Sequence, residues 1–172
     1  TFTVPKNGWY RFYALGGGGG AAIASSSAGS GALVVGDRAL VKGQTVALVI
    51  GVGGGSNTDG NATTVTFPDG GVMMAGAGIS GATTGAGGAA SSTNNLDTLY
   101  NGSAKAVAGG GTNGGTSGAG NGGGSPGVDG FRGGNGGTSL TIAQRGAGGY
   151  QDTTRVAGGD GEVLIHQIRL RP

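Results

Sequence analysis

The chain has no cysteine, so a disulfide framework, a thiolate metal site and a cysteine nucleophile are all excluded. Charge is also scarce. Ten Lys or Arg against eight Asp or Glu leave a formal net charge of +2 on 172 residues, without the high net charge that accompanies disorder. The basic residues Lys6, Arg11, Arg38, Lys42, Lys105, Arg132, Arg145, Arg155, Arg169 and Arg171 are scattered. They form no stripe of the kind that tracks a phosphate backbone, so no nucleic-acid partner is expected. No apolar run approaches the ~20 residues of a membrane span and no leader pattern is present, so membrane insertion is not expected either. The sequence begins at Thr1 rather than methionine, which reads as a fragment or a processed C-terminal piece. Large apolar side chains are few as well: 32 residues are Leu, Ile, Val or Phe, roughly 19%, just under the ~20% associated with disorder. A chain this neutral must fold, associate or precipitate, and its side-chain core has to be small.

What the sequence has instead is glycine, 46 residues of it. Glycine-poor stretches between the glycines read as short strands, rich in β-branched and aromatic residues and bounded by Gly, Pro, Asn or Asp. They are Thr1 to Val4, Trp9 to Leu15, Ala32 to Val35, Ala39 to Val41, Thr45 to Val52, Thr63 to Phe67, Val72 to Ala75, Ser139 to Ala143 and Glu162 to Leu170. The longest glycine-free stretch, Ala89 to Asn101, is crowded with Ser, Thr, Asn and Asp, which favour caps and turns, so almost no α-helix is expected. From Gly109 to Gly137 every third residue in one frame is glycine at eight of ten places, interrupted by Thr112 and Asn121. That period matches a polyproline II helix, whose N–H and C=O groups point outward and can be satisfied by neighbouring legs. Close approach of such legs requires the absence of a Cβ on the facing side. Collagen does not fit, because only four prolines occur and the register holds for too few triplets.

Residues that could carry chemistry are isolated. Gly76 to Gly81 and Gly118 to Gly123 match the G-x-G-x-x-G fingerprint, but neither opens a helix on which a pyrophosphate could rest. His166 is the single histidine, without a cysteine or a second histidine to complete a zinc site. The carboxylates stand singly beside turn residues, and only Asp160 and Glu162 are close enough to suggest a weak cation site. No catalytic residue, cofactor or metal is expected, and the chain reads as a non-enzyme. The cluster Trp9, Tyr10, Phe12 and Tyr13 has two competing uses, a sugar-binding platform and core packing, because alternation sends half of it inward. Large polar and aromatic side chains collect in glycine-poor loops, Ser91 to Asn101, Asp129 to Arg132 and Tyr150 to Arg155, where recognition belongs.

The order of motifs resembles the glycine-rich domain of bacteriophage tail-fibre and tail-tip proteins. Phe2-Thr3-Val4-Pro5 opens the chain, WYRFYAL runs from Trp9 into five glycines, and Lys42-Gly43-Gln44 introduces the strand TVALVI, which exits through Gly51-Val52-Gly53-Gly54-Gly55. Gly158-Gly159-Asp160-Gly161 then precedes the last strand. The resemblance covers nearly the whole chain. It implies a single glycine-rich domain over residues 1–172, all-β, a jelly-roll-like β-sandwich with an inserted bundle of glycine-rich polyproline II helices. The strand scaffold would occupy 1–75 and 139–172, with glycine helices and loops at 76–138. It further implies a place in the virion at the tip of a tail fibre, often as a homotrimer, and an adhesin role in which a bacterial surface polysaccharide or outer-membrane protein is bound. The contacts expected from the loops are Asn94, Asn95, Leu96, Leu99, Tyr100, Phe131, Arg132 and Tyr150. Two other readings stay open: a structural trimerisation or capping domain of a fibre, and an ice-binding protein that exposes rows of Ala, Thr and Ser.

Overall fold

The computed structural model describes residues 1–21, 28–80, 86–102, 145–146 and 157–170, which form nine strands and no helix. In chain order these are β1 (Phe2–Thr3), β2 (Gly8–Leu15), β3 (Leu33–Leu40), β4 (Thr45–Val49), β5 (Thr63–Thr66), β6 (Val72–Ala75), β7 (Ala90–Ser92), β8 (Thr98–Tyr100) and β9 (Glu162–Leu170). Every pairing is antiparallel. One sheet has the order β1-β4-β5-β6-β7 and the other β8-β3-β2-β9. Among the described residues no helix is long and apolar enough to cross a membrane.

Period-two alternation decides what each sheet buries. On β2, Tyr10, Phe12 and Ala14 face the five-stranded sheet and join Val34 and Leu40 of β3. From the opposing sheet come Val46, Val65, Met73 and Ala75, with Phe67 just beyond β5. Phe12 meets Phe67 edge to face with ring centroids 5.0 Å apart, the arrangement that aromatic quadrupoles prefer. The apolar residues are few but gathered in this layer and in a smaller buried cluster of Tyr13, Leu15 and Leu33 on the other face of β2 and β3, which is how a chain with so little Leu, Ile, Val and Phe still has an interior. The turn from β3 to β4 uses Gly43 at φ 87, a left-handed conformation that glycine adopts without steric cost.

At one end of the sandwich the strands run out into glycine, and the packing changes in kind. Gly16 to Gly20, continuing β2, are buried and donate to a different neighbour at each step. Gly16 and Gly19 reach Ala32 and Gly29, Gly17 and Gly20 reach Asn61 and Thr58, and Gly18 reaches Gly159, all at 2.9–3.0 Å. The bonds to any one neighbour therefore recur every third residue, the repeat of a three-residue-per-turn helix whose polar groups point outward. The same spacing joins Gly76 and Ile79 to Ala89 and Ala86, and Gly158 and Gly161 to Gly54 and Gly51. A Cβ added to Gly16, Gly17, Gly19, Gly20 or Gly31 would come within 3.0 Å of backbone atoms in an adjoining leg. The legs thus touch where side chains would otherwise stand. Thr63 stitches the two regions together: its buried hydroxyl donates to the Leu15 carbonyl at 2.6 Å and accepts from the Gly51 amide at 2.9 Å.

The expectation of an all-β chain agrees with this architecture. The details differ in three places. Ala32 to Val35 and Ala39 to Val41, read as two strands broken at Gly36-Asp37, belong to the single strand β3. β7 and β8 lie in a stretch read as loop; three residues each, they exist through pairing with β6 and β3, a tertiary context that overrides weak local propensity. Lateral glycine legs appear at residues 16–20, 29–32, 51–54, 58–61, 76–79, 86–89 and 158–161, whereas the tract at 109–137 and the strand expected at Ser139 to Ala143 lie outside the described residues.

Candidate functional site

The face of the four-stranded sheet turned away from the core carries the side chains that alternation excludes from it. On β2 these are Trp9, Arg11 and Tyr13. Register places Arg11 opposite Asp37 on β3, close enough for a two-pronged ion pair, Nε to Oδ1 at 2.7 Å and Nη2 to Oδ2 at 2.9 Å. Both partners are partly exposed. The Arg11 guanidinium, chiefly through its hydrogen bonds, holds the Asp37 carboxyl below the usual carboxylate range against the opposing effect of burial. On the other flank His166 of β9 faces Arg11 in register and meets the Tyr13 ring edge-on, centroids 5.8 Å apart. A register shift in the β2–β9 pair between Trp9 and Tyr10 brings Arg169 opposite Trp9, and its guanidinium lies 5.0 Å from the indole centroid. Such a bulge re-aims side chains by one position.

One side of this face is walled by the segment from Asn94 to Tyr100, leaving a groove of about 430 Å³, within the roughly 300–1,000 Å³ usual for ligand sites. The wall is fixed from beneath. Asp97, with only 1% of its side chain exposed, accepts from both terminal nitrogens of Arg38 at 2.6 Å and from the Ser92 hydroxyl at 2.6 Å. Arg38 in turn lies 4.5 Å from the Phe67 ring centroid. Gly36 makes room for this arrangement, since a Cβ there would strike the Asp97 carboxylate; glycine inside β3 marks a close approach rather than a turn. The turn above is closed by Asp97 N–H donating to the Asn94 carbonyl and Leu96 N–H donating to Asn94 Oδ1, both at 3.1 Å. Leu96 stands at the lip, 85% exposed.

The chain matches no protein-family model and no curated protein.

Of the contacts expected from sequence, Asn94, Leu96 and Tyr100 line the groove. Asn95 is exposed on the turn outside the lining. Leu99 pairs with Val34, whose side chain faces the core, so its own side chain points away from the groove and is 47% exposed. Phe131, Arg132 and Tyr150 lie outside the described residues. The competing uses of the aromatic cluster divide unequally: Tyr10 and Phe12 enter the core between the sheets, Tyr13 is buried with Leu15 and Leu33 on the other face of β2 and β3, and Trp9 stays half-exposed at the groove. Arg11, Val35, Gly36, Asp37, Asp97 and Thr98 complete the lining among the described residues and were not singled out by sequence; only the strand parity shared by Trp9, Arg11 and Tyr13 pointed toward them.

The other motifs find local explanations. Asp160 Oδ1 accepts from the Gly53 amide at 2.8 Å, and Glu162 pairs with Arg145 at 2.6 Å. Among the described residues no group of three or more His, Asp or Glu is placed to hold a metal. In the first G-x-G-x-x-G stretch, the Gly76 and Gly78 amides donate to Ala89 and Gly17 and are not turned toward a ligand. The second stretch lies outside the described residues. Among the described residues the groove lining contains no histidine, cysteine or serine, and so no pair of the kind that activates a serine or cysteine nucleophile. Aromatic walls, an amide and hydroxyls at the rim, and internally paired charges make it suited to holding a ligand.

Proposed function

We propose that this chain is a receptor-binding tip domain of a bacteriophage tail fibre, a non-enzymatic adhesin that attaches the virion to a bacterial surface polysaccharide or outer-membrane protein. The observation that carries the reading is the groove: aromatic side chains on a rigid sheet face, bordered by an exposed turn that a buried ion pair holds in place. Recognition sites combine such anchors with a fixed supporting shell. The strand-to-glycine exits that resemble the tail-protein domain support it further, because a bundle joined by backbone bonds can carry loops of varied sequence without a matching change in core. Fluorescently labelled chain should bind susceptible bacteria saturably. The double variant Asn94→Ala, Leu96→Ala, altered only at the wall, should bind at least about tenfold more weakly, as truncated anchors do. A folded double variant with unchanged cell binding would contradict the assignment.

A second reading, a trimerisation or capping domain, is favoured by the opposite side of the molecule. The outward face of the five-stranded sheet presents Thr3, Thr45, Ala47, Val49, Thr64, Thr66, Val72, Met74 and Ser91, a surface without a single charge. Val49 and Met74 are 61% and 40% exposed there. Oligomerisation would cover that surface and suits a chain with a small core. Light scattering at micromolar concentration should give a homotrimer mass; a monomer would count against this reading and leave the groove untouched.

A further inference from the structure

We infer that the groove takes an uncharged carbohydrate, a stretch of neutral hexoses bearing vicinal hydroxyls, in preference to an acidic glycan or a protein epitope. The inference rests on the recognition reading above and deepens it. Each formal charge among the described residues of the groove lining is already matched inside the protein. Arg11 is joined to Asp37 by two bonds, and Asp97 to Arg38 by two more. A carboxylate, sulfate or phosphate on the ligand could bind Arg11 fully only by drawing it from Asp37, which would leave that carboxylate without its partner at the sheet face.

A pair of neutral hydroxyls meets no such conflict. A guanidinium has five N–H donors and a carboxylate about four acceptor positions, so the Arg11–Asp37 pair keeps spare capacity of both kinds after its two mutual bonds. A hydroxyl both donates and accepts. Adjacent hydroxyls can therefore accept from Arg11 and donate to Asp37 together while the ion pair stays closed. The rest of the groove matches the other half of a sugar's chemistry. Trp9 and Tyr100, both half-buried, offer ring surface for the apolar C–H face of a pyranose, and the Asn94 amide and Thr98 hydroxyl border it with uncharged polar groups. A protein epitope would have to supply the same alternation of bare C–H faces and paired hydroxyls in a groove of about 430 Å³, which peptide side chains do poorly.

The only tryptophan in the chain, Trp9, lines the groove, so intrinsic fluorescence reports occupancy without a label. The test titrates the full chain with neutral gluco-, manno- and galacto-oligosaccharides, and separately with oligogalacturonate and sialylated and sulfated oligosaccharides. Adhesion of the labelled chain to bacteria, untreated or oxidised with periodate, is measured in parallel. The expected result is saturable change in Trp9 emission with at least one neutral series, nearly the same affinity at low and high salt, and loss of adhesion after periodate. Asp37→Asn, which leaves Arg11 without its carboxylate, should weaken neutral binding about tenfold and introduce salt-sensitive binding of the acidic series. Binding confined to acidic glycans, or adhesion that survives periodate with no sugar bound, overturns the inference while leaving recognition intact. Absence of both sugar binding and cell adhesion overturns the recognition reading as well.

Discussion

The sandwich and the glycine bundle are both buried, and they are buried by opposite means. In the sandwich a residue contributes what its side chain fills: Phe12 is fully enclosed and meets Phe67 and Phe2 edge-on. A few residues further along the same chain, Gly16 to Gly20 are equally buried, and each contributes by what it leaves out. Their amides bond to three different legs in rotation, with no side chain between. The difference explains how a sequence at roughly 19% Leu, Ile, Val and Phe can escape the disorder that such a figure suggests. Apolar content measures only one of the two interiors. The net gain per lateral hydrogen bond, about 0.5–1.5 kcal/mol, is of the same order as the ~0.5–1 kcal/mol entropic cost of placing glycine rather than alanine in ordered structure. A bundle of this kind is consequently sustained by having most of its amides paired, not by a few strong contacts.

Mutations that act in opposite senses on the two interiors sharpen the comparison. The largest loss is expected from Phe12→Ala, at about 3–5 kcal/mol from the lost transfer energy and the cavity left behind, measured by denaturant unfolding. Somewhat smaller, at about 2–3 kcal/mol, is the loss expected from Gly31→Ala, a change that adds one methyl and would be harmless in most loops. Here the new Cβ meets the Gly16 backbone, and the Gly31 amide would be pulled from its 2.7 Å bond to the Gly146 carbonyl. Gly55→Ala, at the end of the Gly53-Gly54-Gly55 run, is the control. The nearest atom to its added Cβ is the Thr58 hydroxyl at 3.7 Å, so stability should hold or rise by about 0.4–1 kcal/mol through the stiffer unfolded chain. Equal responses at Gly31 and Gly55 would break the distinction between packed and merely abundant glycine.

The smallest effect belongs to the sandwich surface. The folded-state Asp37 carboxyl titrates below its unfolded value. Its pairing with Arg11 therefore stabilises the chain above the unfolded carboxylate range of about pH 3.9, and that contribution disappears as pH falls through the lowered folded value. Because both side chains are partly solvated, the amount is under about 1 kcal/mol. Asp37→Asn should melt slightly below the parent at pH 7, and the gap should narrow as pH falls below the unfolded carboxylate range.

The strands of four or more alternating residues were legible in sequence: Val72 to Ala75 and Glu162 to Leu170 coincide with β6 and β9. The Gly36-Asp37 pair carries a turn signal by composition, yet its role depends on Asp97, far along the chain, filling the space over Gly36. No local pattern encodes that. β7 and β8 are too short to announce themselves and draw their order from neighbours. For the groove, the polar loop around Asn94 to Tyr100 was visible as a place where large side chains gather. The floor was not, because the pairing of Arg11 with Asp37 follows from the β2–β3 register. Glycine runs immediately after strands marked the bundle, while the three-residue period drew attention to 109–137 instead. A lateral bond that recurs every third residue requires no third-residue glycine where the contact face is formed by several legs at once.

The claim on which the rest depends, that bare backbone forms a second interior, is tested most directly by amide hydrogen exchange resolved at Gly16 to Gly20 and compared with Tyr10 to Ala14 in the same chain. The account predicts protection in the glycine run that matches the adjoining strand, since both sets of amides are buried and bonded. Exchange of Gly16 to Gly20 at the rate of an unstructured peptide, alongside a protected strand, would contradict it.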